Sequence, residues 1–312
     1  MPPKPGAWEP DQLSSAGAIT AALTTRRLGR PVLFLQRVGS TNDVARQMAA
    51  GGAADGLLVV ADEQTAGRGR LNRSWWAPPG SSLLMSILLR PSIPLSRAGQ
   101  LTMCLGLGAV EGIEEMTGLH PALKWPNDLV LSGRKLGGML TELEADGERL
   151  AYAVVGLGLN VSWHDERAED KEQESGDGDS LPGFHRPSAF GIPADIAVAA
   201  ISLSTVLGRP VNRLPLLARI LACCEKWYER FLAEQTDPKL NGRAVHQAWA
   251  ARLETLGRAV TVTMDEVEVQ GDAIGVNAEG ALLVRDEKGR VHTVWTGDVT
   301  SVRPGGKPAP PM

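Results

Sequence analysis

The chain has 312 residues, 43% of them hydrophobic, enough to bury one large core and a small second domain. Its 32 Lys and Arg against 36 Asp and Glu give a formal net charge of −4, which excludes the basic field of a nonspecific nucleic-acid binder. Cys104, Cys223 and Cys224 lack metal or disulfide spacing, no apolar run reaches the ~20 residues of a membrane span, and the Pro-rich start has no apolar signal region, so a reduced, cytoplasmic chain is expected.

In chain order, residues 1–28 are expected to be a flexible N-terminal extension, with one short helix over 12–28. Residues 32–36 predict a strand. Ser40 or Thr41 then caps a helix in which Val44 and Met48 share a face. Apolar runs at 57–61 and 82–89 predict two more strands. Between them lies Gln64-Thr-Ala-Gly-Arg-Gly-Arg-Leu-Asn-Arg-Ser-Trp-Trp76. Gly67 and Gly69 permit close backbone approach to a ligand. Arg68, Arg70 and Arg73 supply forks for carboxylate or phosphate. Trp75 and Trp76 supply flat faces. A loop with all three, held on a sheet, suits an anionic, flat ligand such as a nucleotide.

Ser96 is expected to cap a helix through Met116, with Leu101, Leu105 and Ile113 near helical spacing. Gly106, Gly108 and Gly112 either weaken that helix or mark close packing. Strands follow at 128–131, 135–144 and 151–157, with a Ser132-Gly133 turn joining the first two. That hairpin brings Lys124, Asn127, Asp128 and Lys135 near each other. A carboxylate among lysines suits acyl or phosphoryl chemistry, because lysines hold developing negative charge and the carboxylate orients or deprotonates an amine. Residues 164–190 include an acidic insertion expected to be disordered. Leu214, Leu217, Leu221, Cys224, Tyr228 and Phe231 predict a long helix, and 244–256 another. From 257 to 304 short β-type runs separated by glycines predict a small barrel. Residues 305–312 are a tail. None of the histidines has ligand spacing.

Together, Ser40-Thr-Asn42, Gln64-x-x-Gly-Arg-Gly-Arg70, Lys124-Trp-Pro-Asn-Asp128, Arg134-Lys-Leu-Gly-Gly138 and Gly156-Leu-Gly-Leu-Asn160 resemble, in order and spacing, a biotin–protein ligase. The resemblance covers about residues 30–304. It implies an α/β catalytic domain over 29–256, similar to class II aminoacyl-tRNA synthetases, and a C-terminal SH3-like β-barrel over 257–304. It also implies the reaction: biotin and ATP form biotinyl-5′-AMP, and biotin passes to a lysine of a biotin carboxyl carrier domain. Mg²⁺, carried mainly by the ATP phosphates, accompanies the nucleotide. Lys135, Asp128 and Arg68 are the implied catalytic residues. Ser40, Thr41, Asn42, Gln64, Arg68, Gly69, Arg70, Lys135 and Gly137 are implied to bind biotin. Arg68, Arg70, Arg73, Trp75, Lys124, Asn127, Asn160 and Arg303 are implied to bind ATP, with Trp76 the rival register for the adenine stack.

The pattern departs from the family at Gly39, where an Asp is common, which removes an acidic group beside Ser-Thr-Asn. The 31 residues before Val32 are too few for a three-helix DNA-binding domain, so a monomeric or homodimeric ligase that does not bind DNA or membrane is expected. Rival functions are a lipoate or octanoate protein ligase, a noncatalytic biotin sensor or carrier-binding protein, and an RNA-binding loop. Gly-Arg-Gly-Arg with Lys-Trp-Pro-Asn-Asp speaks against the first, Lys135 with the arginines against the second, and the acidic chain against the third.

Overall fold

The structure, a computed structural model, describes residues 12–162, 194–236, 243–264 and 267–301. The Pro-rich start, the acidic insertion, Arg303 and the tail therefore lie outside the described residues. The larger domain holds strands β1 (Val32–Val38), β2 (Leu58–Gln64), β3 (Ser82–Leu89), β4 (Ala122–Lys124), β5 (Asp128–Leu131), β6 (Arg134–Asp146) and β7 (Arg149–Asn160). They form one mixed sheet in the order β1-β2-β3-β7-β6-β5-β4, in which only β1 and β2 run parallel. β3 is buried at all eight positions, which explains why its sequence is apolar on both faces apart from Ser82 and Ser86. Ser132 and Gly133 both take positive φ, 53° and 74°, and close the β5–β6 hairpin.

Seven α-helices accompany the sheet among the described residues: α1 (Ala16–Ala22), α2 (Thr41–Ala50), α3 (Gly99–Thr117), α4 (Ala194–Ala199), α5 (Leu203–Leu207), α6 (Arg213–Thr236) and α7 (Ala244–Ala251). α3 and α6 are the main apolar layer, and the glycines of α3 are contact points. A Cβ at Gly108 would lie 2.5 Å from the Cys224 backbone, and one at Gly112 would lie 2.7 Å from Ile220 Cα. Gly106 faces the sheet instead, against Met139 and Leu123. The three glycines thus mark close packing and do not weaken the helix.

Several expectations need correction. Residues 12–28 are not a flexible extension. Ile19, Leu23 and Leu28 are buried, and the Glu225 carboxylate of α6 accepts from the backbone N–H groups of Arg26, Arg27 and Leu28. Helix α3 starts at Gly99, and Ser96 sits in a preceding 3₁₀ turn without capping it. The helix start is fixed instead by the smaller domain, where Gln100 Nε2 donates to Ala278 O at 2.7 Å. Val44 is partly buried against the sheet, but the deepest face of α2 is not the one it shares with Met48. Met48 is 42% exposed, while Thr41, Asn42, Ala45 and Ala49 face inward. Helix α7 stops at Ala251, short of 256, because Arg252 and Glu254 pair with Leu123 of β4.

A buried ion pair ties the helical layer to the sheet. Arg213 at the start of α6 donates to Asp62 Oδ1 at 2.6 Å and to Ser82 O at 2.9 Å, while Asp62 Oδ2 accepts from Gln36. Breaking such a pair leaves the other charge in low dielectric. Asp62→Ala should therefore cost about 3–5 kcal/mol of stability. Guanidinium unfolding measures it; a midpoint equal to the unmodified protein would refute the ion pair's importance.

The smaller domain is a separate antiparallel sheet of β8 (Ala259–Met264), β9 (Val267–Val276), β10 (Leu282–Arg285), β11 (Val291–Val294) and β12 (Asp298–Ser301). Its order is β11-β10-β9-β8-β12. It docks on the larger domain through Trp125, whose buried indole Nε1 donates to Gly280 O at 2.8 Å. His246 Nε2 lies 3.0 Å from Val276 O across the same seam.

Candidate active site

One face of the central sheet is paved with glycine. Gly138 of β6 lies opposite Gly158 of β7, and Gly156 lies opposite both Leu140 and Ser86. Any Cβ at Gly156 would run into the Asn42 amide. One at Gly158 would lie 2.6 Å from Trp75 Cε2. One at Gly138 would lie 3.2 Å from Asp128 Oδ1 and 3.3 Å from Lys135 Cε. The glycines therefore let three different side-chain groups lie flat on one floor.

The first group gathers at the start of α2. Ser40 holds the N-cap position but makes no side-chain cap bond. Its neighbours bond to the sheet instead. Gln64 Oε1 accepts from Thr41 N at 2.7 Å and from Thr41 Oγ1 at 3.0 Å. Ser86 Oγ, buried in the middle of β3, reaches Thr41 Oγ1 at 2.7 Å and Asn42 Oδ1 at 2.6 Å. Asn42 Nδ2 donates to Glu142 Oε2 at 2.7 Å and to Leu140 O at 3.2 Å. The result is a compact pocket wall of hydroxyls and amides, built to recognise a small polar head.

The second group centres on the Lys135–Asp128 pair. Lys135 Nζ sits 2.7 Å from Asp128 Oδ1 and 5.7 Å from the Trp75 ring centroid. Both backbone neighbours of this pair are pinned: Lys135 O accepts from Ile201 N at 2.9 Å, and Asn127 brackets Met139 through its carbonyl and its amide. Lys124 lies across the β4–β5 ladder from Asp128, and burial pushes its ammonium pKa down. Trp75 Nε1 and Asn160 Oδ1 are buried polar atoms without a protein partner, and both edge this region. Such atoms call for a ligand or water. Both Trp75 and Trp76 are partly buried, and it is the Trp75 ring that lies on the sheet at Gly158.

The third group is the Gly-Arg-Gly-Arg loop. It folds on itself through Trp75 N to Gly67 O and Gly69 N to Arg73 O. Arg68 grips Asp43 of α2 with both nitrogens, at 2.6 and 2.7 Å, and lies 3.5 Å from Glu142. That hydrogen bond holds the Asp43 carboxyl below its usual range and raises the Arg68 pKa. Arg70 and Arg73 reach the other way, to the smaller domain. Arg70 donates to Thr296 Oγ1 at 2.5 Å and to Gly297 O at 3.4 Å, with Asn127 Oδ1 at 3.5 Å. Burial pushes the Arg70 pKa down. Arg73 pairs with Asp298. Beside Arg70 a cavity of about 270 Å³ opens between the domains, lined by Asn127, Met139, Thr141, Trp295 and Thr296 among others.

Every described residue named from the motifs lies in or beside these three groups. Gly137 is the partial exception: its Cα side faces Gly158 O and Leu159, away from the floor formed by Gly138. Asp43, Ser86, Glu142, Thr296 and Asp298 were not foreseen. Ser86 had a signal, as a polar residue inside an apolar strand. Glu142 had a weaker one, lying two and four residues beyond Leu140 and Gly138 on the same strand face. The other three had none.

Residues 34–160 match the biotin/lipoate A/B protein ligase family, and residues 255–300 match the biotin protein ligase C-terminal domain. The chain is 32% identical over 291 residues to the bifunctional ligase/repressor BirA of Bacillus subtilis, an alignment spanning 93% of this chain and 80% of that one. It is 30% identical over 280 residues to the biotin–[acetyl-CoA-carboxylase] ligase of Mycobacterium tuberculosis, covering 88% and 90% of the two chains. Among solved structures, the biotin protein ligase from Aquifex aeolicus in complex with biotin and ATP aligns with a TM-score of 0.66 at 26% identity, over 88% of this chain and 100% of that one.

Proposed function

We propose a function from one premise: the chain belongs to the biotin/lipoate A/B protein ligase family. It is an ATP-dependent biotin–protein ligase, which activates biotin as biotinyl-5′-AMP and transfers it to a carboxylase. The observation that carries this reading is the Lys135–Asp128 pair at 2.7 Å, set on a glycine floor between an amide-rich pocket and a tryptophan.

In this reading biotin's ureido head meets Ser40, Thr41, Asn42 and Gln64, with Gly69 and Gly137 shaping the backbone around it. Its carboxylate points to Lys135. The carboxylate oxygen attacks the α-phosphorus of ATP, an O–P bond forms, and pyrophosphate leaves. Two anions must meet, so cations must hold both. Lys135 bridges them, Arg68 closes the biotin side, and Arg70, Arg73 and Lys124 hold the nucleotide with Asn127 and Asn160. Trp75 stacks on adenine; Arg303, which the resemblance assigns to the nucleotide, lies outside the described residues. Mg²⁺ would be carried mainly by the ATP phosphates and would screen their charge. The intermediate is a mixed anhydride, so a loop folded over it keeps water away. The acceptor lysine belongs to a biotin carboxyl carrier domain and comes to Asp128.

The remaining assignments are architectural. The larger domain, 29–256, is a class II synthetase-like catalytic unit, and 257–304 is an SH3-like barrel. A cytoplasmic location belongs to this proposal; no described helix is long and apolar enough to cross a membrane.

The decisive experiment incubates the protein with biotin, MgATP and a carrier domain and reads the carrier's mass. A gain of one biotin less one water is expected, and no gain when lipoate replaces biotin. An unchanged carrier would end this reading. A sharper test uses the floor. Gly158→Ala should lift Trp75 and raise the KM for ATP about tenfold, equivalent to roughly 1.4 kcal/mol. Gly156→Ala should displace Asn42 and weaken biotin instead. If the two variants give the same pattern, the floor does not separate the two substrates as assigned.

A further inference from the structure

We infer that Glu142 is a positioning residue of the biotin pocket, fixing which way the Asn42 amide points. The inference rests on the reading that Asn42 meets biotin's ureido head.

An asparagine side chain can turn over, exchanging its oxygen and its NH₂ group at little intrinsic cost. Its neighbours decide. Here both amide protons are engaged: Nδ2 donates to Glu142 Oε2 at 2.7 Å and to Leu140 O at 3.2 Å. The oxygen lies 2.6 Å from Ser86 Oγ and rests on the floor at Gly156. Turned over, the amide oxygen would face a carboxylate and a carbonyl, two groups that only accept. Ser86 cannot enforce this choice, since a hydroxyl serves as donor or acceptor. Leu140 O accepts at the longer distance. Glu142 is therefore the group that makes the reversed amide costly.

Glu142 is itself held for the task. Its other oxygen, Oε1, lies 3.3 Å from Arg46 and 3.5 Å from Arg68, which leaves Oε2 for Asn42. Its side chain is 24% exposed, so water competes weakly for it. A ureido ring offers two N–H donors beside one carbonyl. An amide oxygen held at the floor can accept one of those N–H groups with its second lone pair; an NH₂ group there cannot.

The substitution Glu142→Gln keeps the shape and lets the new amide donate as well as accept, so the reversed Asn42 is opposed only by the longer contact to Leu140 O and becomes much less costly. Isothermal titration should show biotin binding weakened at least tenfold. At saturating biotin, kcat and the KM for ATP should stay within about threefold, because Arg68 keeps its two-pronged grip on Asp43. Biotin affinity equal to the unmodified protein would overturn the inference, and so would equal losses toward biotin and ATP, which mark a merely structural role. If Glu142→Gln does not fold, Glu142→Asp is measured in the same way. It keeps an acceptor-only group, so biotin binding should fall less than tenfold with the KM for ATP unchanged; a matching loss for both substrates overturns the idea. Absence of biotin binding by the unmodified protein would instead reject the functional reading itself.

Discussion

Lys135→Ala should slow biotinyl-5′-AMP formation about a hundred- to a thousandfold, the loss typical of removing one preorganised group that stabilises transition-state charge. The ammonium lies 2.7 Å from Asp128 and over the Trp75 ring, between the amide pocket and the tryptophan, where a carboxylate and a phosphate would meet. Its charge counts most when the two anions close. The backbone at this position is held independently, since Lys135 O accepts from Ile201 N at 2.9 Å, so truncating the side chain should leave the strand in place. The Lys135–Asp128 pair is partly exposed, with 30% and 20% of the side chains accessible, and its loss should cost no more than about 1 kcal/mol of stability. Biotin-dependent pyrophosphate release reads the first effect and thermal unfolding the second. Normal pyrophosphate release by the variant would remove Lys135 from the chemistry.

The motif residues around Lys135 were readable because they are local. The β5–β6 hairpin follows from Ser132-Gly133 and two apolar runs, and it alone brings Asp128 to Lys135. The partners that complete the site were not readable. Asn42 and Glu142 are 100 residues apart, and Arg73 and Asp298 are 225 apart. No local pattern encodes such meetings. Where local rules misled, the site or the domain seam intervened. In α2 the apolar pattern pointed to Val44 and Met48, yet Thr41 and Asn42 turn inward to bond Gln64, Ser86 and Glu142. Here buried side-chain hydrogen bonds override amphipathic patterning. Ser96 failed as a cap because the smaller domain fixes the start of α3 through Gln100. The five-stranded C-terminal sheet was visible as glycine-punctuated β runs, but its contribution of Thr296, Gly297 and Asp298 to the arginine loop was not.

Asp128→Asn should separate the two halves of the reaction. Asp128 belongs to the hairpin that carries Lys135, and its Oδ1 is taken by that ammonium. A negative charge does not help a carboxylate approach a phosphate, so its part in the first step is to place Lys135. An asparagine oxygen can keep that contact, since the substitution preserves shape and an acceptor. Adenylate formation should therefore fall only about threefold to tenfold, near the lower range for losing one charged hydrogen-bond partner. The second step differs. The acceptor lysine has a pKa of about 10.4 in the free state, arrives as an ammonium and must shed a proton before its nitrogen can attack the anhydride. The attack forms a C–N bond and releases AMP, and a carboxylate at the reacting centre both aligns the ammonium and takes its proton. An amide oxygen can still accept a hydrogen bond from the ammonium, but it lacks the charge to hold it firmly and cannot take its proton. Removing a positioned general base costs about a hundredfold or more. Transfer from preformed biotinyl-5′-AMP to a carrier domain should thus fall about a hundredfold in single-turnover assays. Equal losses in the two steps would show that Asp128 organises Lys135 and Lys124 and does not prepare the acceptor, which would leave the proton to another group or to solvent.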